Sequence, residues 1–280
     1  MLDTHTHILW NIDDGSKNQC MSLQMLEIAA RSGTKAIFAT PHVIERANKP
    51  SWEEIKEKTQ QLRQLCAEAQ IDIMLYPGAE VQMNWELLPE LGATGAYCLN
   101  GGRYLLVELP AAEIPAYADE FWYELELKGI MPILAHPERY QQLRENPDLL
   151  LLWRRRGMLM QCNSGSFTGM FGSSVCENAK VLLANGLVDL LGSDGHRSEG
   201  RNTDMSRAAA VIRQLAGEEV LRQMTETNPQ AILKNQEIEL KQPKYKTTEY
   251  IRQTGKNWKR LEIPGSLVIM LDSGIFYLEN

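Results

Sequence analysis

The 280-residue chain has no apolar run long enough to cross a bilayer. Its longest runs, such as Leu149 to Trp153 and Leu267 to Leu271, fall far short of the roughly 18 residues a span requires, so no membrane span is expected. It does not open on a basic segment followed by an apolar stretch, and a cytoplasmic location is expected. Cysteine is scarce: Cys20, Cys66, Cys98, Cys162 and Cys176 form no C-x-x-C pair and leave one over, which suits reduced thiols rather than a disulfide framework. Positive charge is also in short supply, with 29 Lys and Arg against 36 Asp and Glu and a net charge of −7. Residues 241–280 carry seven basic and four acidic side chains, so residues 1–240 hold −10, the wrong sign for a groove that tracks phosphates. No nucleic-acid partner is expected, and bound cations would offset part of this charge.

What is present is enough for a sizeable core. Hydrophobic residues make up 44% of the chain, and the length fits one large α/β barrel or two ordinary domains. Short β-rich runs alternate with longer helical patterns. The strands are expected at Leu2 to Leu9, Ala36 to Ala39, Ile71 to Tyr76, Tyr104 to Leu109, Met131 to Ala135, Leu159 to Cys162 and Val188 to Leu191. Helices are expected at Cys20 to Arg31, Trp52 to Ala69, Ala116 to Lys128, Asp148 to Arg156, Ser174 to Ala184 and Asn202 to Leu215. Such alternation predicts a parallel barrel or a doubly wound sheet. Ser51 ahead of Trp52-Glu53-Glu54 is a capping box, and Gly33, Gly129, Gly157 and Gly186 follow helical runs as C-caps. Beyond about Gln236 the pattern changes: 242–260 is polar and basic, and Leu261 to Tyr277 reads as one or two short strands around Asp272-Ser273-Gly274.

All five histidines fall in short motifs. His5 and His7 lie two apart on the first strand, so their side chains share a face and can grip one ion, with Asp3 on that face one layer deeper. Asp13-Asp14-Gly15 follows, and either carboxylate could reach back to a metal or simply make a turn. Pro41 favours extended backbone and holds His42 at a strand end. Glu80 and Glu108 close apolar runs, where a carboxylate is costly to bury unless it is salt-bridged or bound to metal. His136 follows the fifth strand, and Asp194-Gly195-His196 the seventh. Candidate ligands thus follow strand after strand, and in a barrel these positions converge on the C-terminal face. The set exceeds what one ion can use, so two or three clustered ions are implied; imidazole with carboxylate and no thiolate suits Mn, Fe or Zn.

Seven segments in order, Asp3-x-His5-x-His7-Ile8-Leu9, Asp13-Asp14-Gly15, Ala39-Thr40-Pro41-His42, Gly78-Ala79-Glu80-Val81, Val107-Glu108-Leu109-Pro110, Ala135-His136-Pro137-Glu138-Arg139-Tyr140 and Gly192-Ser193-Asp194-Gly195-His196, resemble the PHP family, named for polymerase and histidinol phosphatase, over roughly residues 1 to 235. The nearer likeness is to the bacterial manganese-dependent tyrosine-protein phosphatases that act on capsule and exopolysaccharide assembly kinases. This resemblance implies a distorted (β/α)7 TIM-like barrel over 1–236 with an extension of unknown role at 237–280. It implies one manganese held by His5, His7, Glu80 and Asp194, a second by Glu80, Glu108 and His136, and a third by Asp14, His42 and His196. Arg139 and Arg201 match the family's phosphate-binding arginines, with Arg197 a near neighbour of the latter.

The implied activity is hydrolysis of phosphotyrosine by metal-activated hydroxide, without a phosphoenzyme. The implied partner is a phosphorylated tyrosine kinase of polysaccharide export. Cysteine-based tyrosine phosphatases need a C-x5-R loop, and the residues six positions after the cysteines are Leu26, Asp72, Tyr104, Thr168 and Leu182. That nucleophile is excluded. The rival readings are another PHP phosphoesterase, acting on histidinol phosphate or a phosphodiester, and an inactive metal-binding regulator, whose mark would be a missing ligand.

Overall fold

The computed structural model describes residues 1–92 and 95–240, together with the backbone of three strands in the tail. Its contacts divide the chain into Met1–Gln242 and Pro243–Asn280. In the larger unit the strands are β1 (Leu2–Thr6), β2 (Ala36–Ala39), β3 (His42–Val43), β4 (Met74–Pro77), β5 (Glu80–Gln82), β6 (Tyr104–Glu108), β7 (Met131–Ala135), β8 (Leu159–Asn163) and β9 (Leu190–Gly192). They pair in parallel as β1-β2-β4 and as β3-β5-β6-β7-β8-β9.

These two sheets are one barrel wall. Thr40-Pro41 splits the second wall position into β2 and β3, and Gly78-Ala79 splits the third into β4 and β5. Across the breaks, Thr40 N–H donates to Thr6 O at 2.8 Å and Glu80 N–H to Pro41 O at 3.0 Å. The ring closes between β9 and β1, where Asp194 N–H donates to His5 O at 2.7 Å and His7 N–H to Gly195 O at 2.9 Å. Seven wall positions with helices between them make a distorted (β/α)7 TIM-like barrel.

The helices end where local chemistry ends them. Helix Trp52–Glu68 starts at Ser51, whose hydroxyl accepts from Glu54 N–H, and Glu53 and Glu54 face the positive end of its dipole. Gly33, Gly129, Gly157 and Gly186 all have positive φ, as C-caps require. One expected helix starts late: Asn202 to Met205 is a loop, and the helix is Ser206–Ala216. Thr203 is drawn away to donate to Met25 O at 2.5 Å, and Asp204 accepts from Ser206 N–H at 2.8 Å. The strand expected from Ile71 begins only at Met74, because Ile71 N–H still bonds Cys66 O behind the preceding helix.

The interior explains how the barrel positions its chemistry. Phe38, Tyr104, Leu106, Ile133, Ala135, Leu159 and Leu190 fill the lower barrel. Side chains alternate along a strand with a period of two, so each apolar row continues upward on the same face. Phe38 leads to Thr40 and His42, Leu106 to Glu108, Leu159 to Gln161 and Asn163, and Leu190 to Gly192 and Asp194. The core is apolar at its base and ionisable at its rim.

Among the described residues no helix is long and apolar enough to cross a membrane. The tail holds three strands in place of the one or two expected, Lys259–Ile263, Ser266–Leu271 and Gly274–Leu278, paired antiparallel in chain order. Asp272 and Ser273 of the expected turn lie outside the described residues.

Candidate metal centre

The nine expected ligand residues, His5, His7, Asp14, His42, Glu80, Glu108, His136, Asp194 and His196, meet at the rim of the barrel. Three sets of their donor atoms each lie within 4.8 Å of one another: His5, His7, Glu80 and Asp194; His7, Asp14, His42 and His196; and His42, Glu80 and Glu108. The first set is the one the resemblance implies. The others differ from it, for His42 replaces His136 beside Glu80 and Glu108, and His7 joins Asp14, His42 and His196. His136 approaches from the far side, its Nε2 2.8 Å from Glu80 Oε1.

Two of these residues depend on unusual backbone. His136 has φ 37° and Asp194 φ 51°, left-handed conformations uncommon outside glycine. On β7 the inward row is Ile133 and Ala135, so His136 would alternate outward; its left-handed turn aims it into the site and starts the short turn Pro137–Arg139.

The donor set fits a cation cluster. His5 Nδ1 faces Gln161 Oε1 at 2.9 Å and His7 Nδ1 faces Asp13 Oδ2 at 2.7 Å, so both rings carry their hydrogen on Nδ1 when neutral. Their Nε2 lone pairs then face each other at 3.1 Å, and Glu80 Oε2 lies 3.1 Å from His5 Nε2 and 3.2 Å from His7 Nε2. Glu80 Oε2, Asp194 Oδ1, His42 Nδ1 and His196 Nε2 are buried with no hydrogen-bond partner. Buried acceptors turned toward one another cost free energy unless a positive charge sits between them.

The electrostatics agree. Burial opposes charge on His5, yet Glu80 and Asp194 outweigh it and raise the ring above its ordinary value. Burial likewise opposes a charged Glu80, but His5 and His42 hold its carboxyl well below the carboxylate range. His196 goes the other way, lowered to about 4 by burial and by His7, which leaves it neutral and able to ligate.

The structure separates the two aspartates that sequence left open. Asp14 Oδ1 lies 3.3 Å from His196 Nε2 and 3.7 Å from His42 Nε2. Asp13 sits behind His7 and also accepts from His42 N–H and Gly15 N–H. Sequence reading missed Gln161 and Asn163, both fully buried. The period of two from Leu159 to the rim would have found them; a search restricted to His, Asp and Glu passes them over.

Above this cluster opens a cleft of about 720 Å³ lined by Asp14, His42, Glu80, Glu108, His136 and His196, by Arg139 and Arg201, and outward by Leu109 to Ala112 and Tyr140 to Gln142 with Arg144 and Glu145. Both arginines donate to Asp194 Oδ2, Arg139 at 3.2 Å. Both guanidinium groups lie over the Phe171 ring, 4.7 and 5.6 Å from its centroid. Arg197 instead donates to Asp14 O at 3.3 Å. No cysteine is among the residues lining the cleft.

A family model described as capsular polysaccharide synthesis, CpsB/CapC, matches residues 1–234. The chain belongs to the CpsB/CapC family. Within it, the chain is 34% identical over 238 residues to the tyrosine-protein phosphatase YwqE of Bacillus subtilis, covering 85% of this chain and 93% of that one. CpsB of Streptococcus pneumoniae, also named a tyrosine-protein phosphatase, is 28% identical over 85% of this chain and all of its own length. The fold matches a chain from the crystal structures of YwqE and CpsB, described as metal-dependent tyrosine phosphatases, with TM-score 0.80 and 32% identity over 87% of this chain and 98% of that one. A Lactococcus lactis histidinol phosphate phosphatase shares the fold at TM-score 0.50 and 17% identity, over 77% of this CpsB/CapC chain and 93% of its own.

Proposed function

We propose that this chain is a metal-dependent protein-tyrosine phosphatase of capsular polysaccharide synthesis, acting in the cytoplasm on a phosphorylated tyrosine kinase of polysaccharide export. The observation that carries the reading is the convergence of paired imidazole lone pairs and orphaned carboxylate oxygens beneath two arginines in one cleft. The nine rim residues would hold two or three ions, manganese by family likeness, with iron or zinc compatible with the same donors. Bound there, the ions would supply an activated water as nucleophile and positive charge for the phosphoryl oxygens.

The chain's own residues do the rest. Arg139 and Arg201 offer planar forks to phosphate oxygens at the mouth of the cleft. Asp13 keeps His7 oriented with Nε2 toward the cluster. The volume of the cleft is that of an ordinary small-molecule site, open enough for an aryl phosphate on a peptide. A tyrosine leaving group, with a pKa of about 10, departs more readily than an alkoxide and needs little acid assistance.

The test is hydrolysis of a phosphotyrosine peptide, beside histidinol phosphate and a nucleotide diester, after chelation and after adding back Mn, Zn or Mg. Manganese-restored turnover selective for phosphotyrosine supports the reading. Preference for histidinol phosphate keeps the metal site and moves the substrate, and no turnover with any metal replaces the enzyme with a regulatory binding protein.

A further inference from the structure

Strand β8 provides none of the nine ligand candidates, yet Gln161 and Asn163 on its inward face are buried against two of them. Burying a primary amide costs about 1–3 kcal/mol unless its donors and acceptors are matched. Here the matching has only one direction.

Ionised Asp194 can only accept, so Asn163 presents Nδ2 to Asp194 Oδ2, at 2.5 Å. That choice turns Asn163 Oδ1 toward Gln161, which meets it with Nε2 at 3.0 Å, and the same Nε2 donates to Cys162 O at 2.7 Å. Gln161 Oε1 is then the atom 2.9 Å from His5 Nδ1. An oxygen at that point requires the hydrogen on Nδ1, which leaves the lone pair on Nε2, the atom facing His7, Glu80 and Asp194. Flipping Gln161 would set Oε1 against Cys162 O and Asn163 Oδ1, acceptor against acceptor. The fold protects this arrangement on two sides. Glu138 Oε1 accepts from Asn163 N–H at 2.9 Å and from Ser166 Oγ at 2.6 Å. At Gly192, a Cβ would lie 2.5 Å from His5 Cβ and 2.8 Å from Gln161 Nε2, so a larger residue would displace both.

We propose that Gln161 and Asn163 are positioning residues: an amide relay from Asp194 to His5 that fixes His5 in the tautomer able to bind a metal ion and leaves Asp194 Oδ1 free for the same ion. The proposal rests on the metal-site reading above. Partners that orient a metal-binding imidazole through its other nitrogen typically govern affinity by about 10–100-fold.

The experiment titrates full-length metal-free protein with Mn(II) and Zn(II) against a chromogenic chelator, for the wild type, Gln161→Met and Gln161→Glu. Methionine keeps the length and removes the acceptor; glutamate, buried beside Asn163 Oδ1 and taken up there as the neutral acid, keeps an oxygen toward His5 Nδ1 and a hydroxyl donor toward Asn163 Oδ1 in place of Nε2. Q161M should bind the ion at His5 about 10–100-fold more weakly while the metal-free protein still unfolds in one cooperative transition, whereas Q161E stays near the wild-type affinity. In zinc-loaded protein with 15N-labelled histidine, the hydrogen-bonded Nδ1–H signal of His5 should persist in the wild type and in Q161E and disappear in Q161M. Wild-type affinity in Q161M, or a Q161E as weak as Q161M, overturns the relay. Should Q161M fail to fold, Q161E alone decides by retaining or losing affinity. A wild type that binds neither ion overturns the metal site itself, and the relay with it.

Discussion

Glu80 is the carboxylate on which the most donor sets depend. It belongs to two of the three sets of converging donors, and its Oε2 lies 3.1–3.2 Å from nitrogens of His5, His7 and His42. Glu80→Gln keeps the shape and the hydrogen bond from His136 to Oε1, so the barrel should fold. It replaces a shared anionic oxygen by a neutral amide, and two ions should be lost together. An ion present at a hundred times its Kd stabilises the folded state by about 2.7 kcal/mol, so two contribute about 5.4 kcal/mol. For a unit the size of Met1–Gln242, each kcal/mol moves Tm by about 2–4 °C, which predicts a wild-type rise of about 10–20 °C when manganese is added to metal-free protein. E80Q should lose the contribution of both ions, so that its manganese-induced rise falls short of the wild type's by about 10–20 °C, with phosphotyrosine hydrolysis abolished. Scanning calorimetry with and without manganese measures both shifts. A full wild-type shift in E80Q would show that Glu80 bridges nothing.

The metal-free protein should lose stability as pH rises. Despite burial, neighbouring carboxylates raise the folded-state values of His5, His7 and His42, so their contribution is complete below the ordinary 6.5 and disappears as pH climbs through the raised values. The shift of His196 to about 4 has the opposite sign, and its contribution is lost as pH falls from 6.5 toward 4. Ion binding requires deprotonated ligands, so the Tm gap between manganese-loaded and metal-free protein should widen from pH 6.5 upward, and a constant gap would contradict the assignment. Arg139→Ala removes one charge-assisted donor to the phosphate, about 1.5–3 kcal/mol, and should lower kcat/KM by about 10–150-fold while manganese affinity holds; unchanged kcat/KM would take Arg139 out of the site. Phe171→Leu removes the aromatic face under both guanidinium groups at nearly constant volume, and a fall in kcat/KM of about 2–30-fold, mostly in KM, is expected. An effect confined to Tm would make Phe171 merely structural.

Much of this was legible in the chain because barrel strands announce themselves as short apolar runs that end in a polar residue. Ala36 to Ala39 and Met131 to Ala135 appear with the boundaries the sequence indicates. His42 and Glu80 were found by position, but their strands were not, for β3 and β5 are held only by neighbours distant in sequence. The backbone turn that aims His136 inward was out of reach, since a left-handed φ at a histidine has no sequence signature. Gln161 and Asn163 escaped for a different reason: these amides carry no charge and hydrogen-bond to candidate ligands, so their role exists only once the barrel has closed and brought His5 and Asp194 within reach.

The two arginines over Phe171 are not free arms awaiting a substrate. Each arginine side chain carries about 2 kcal/mol of rotamer entropy, and here both are already held on one oxygen of Asp194 and against one ring. An arriving phosphate would not gather cations from solution; it would take over hydrogen bonds from an internal carboxylate. The ordering cost of its grip is met when the chain folds, and what remains at each encounter is an exchange of one acceptor for another.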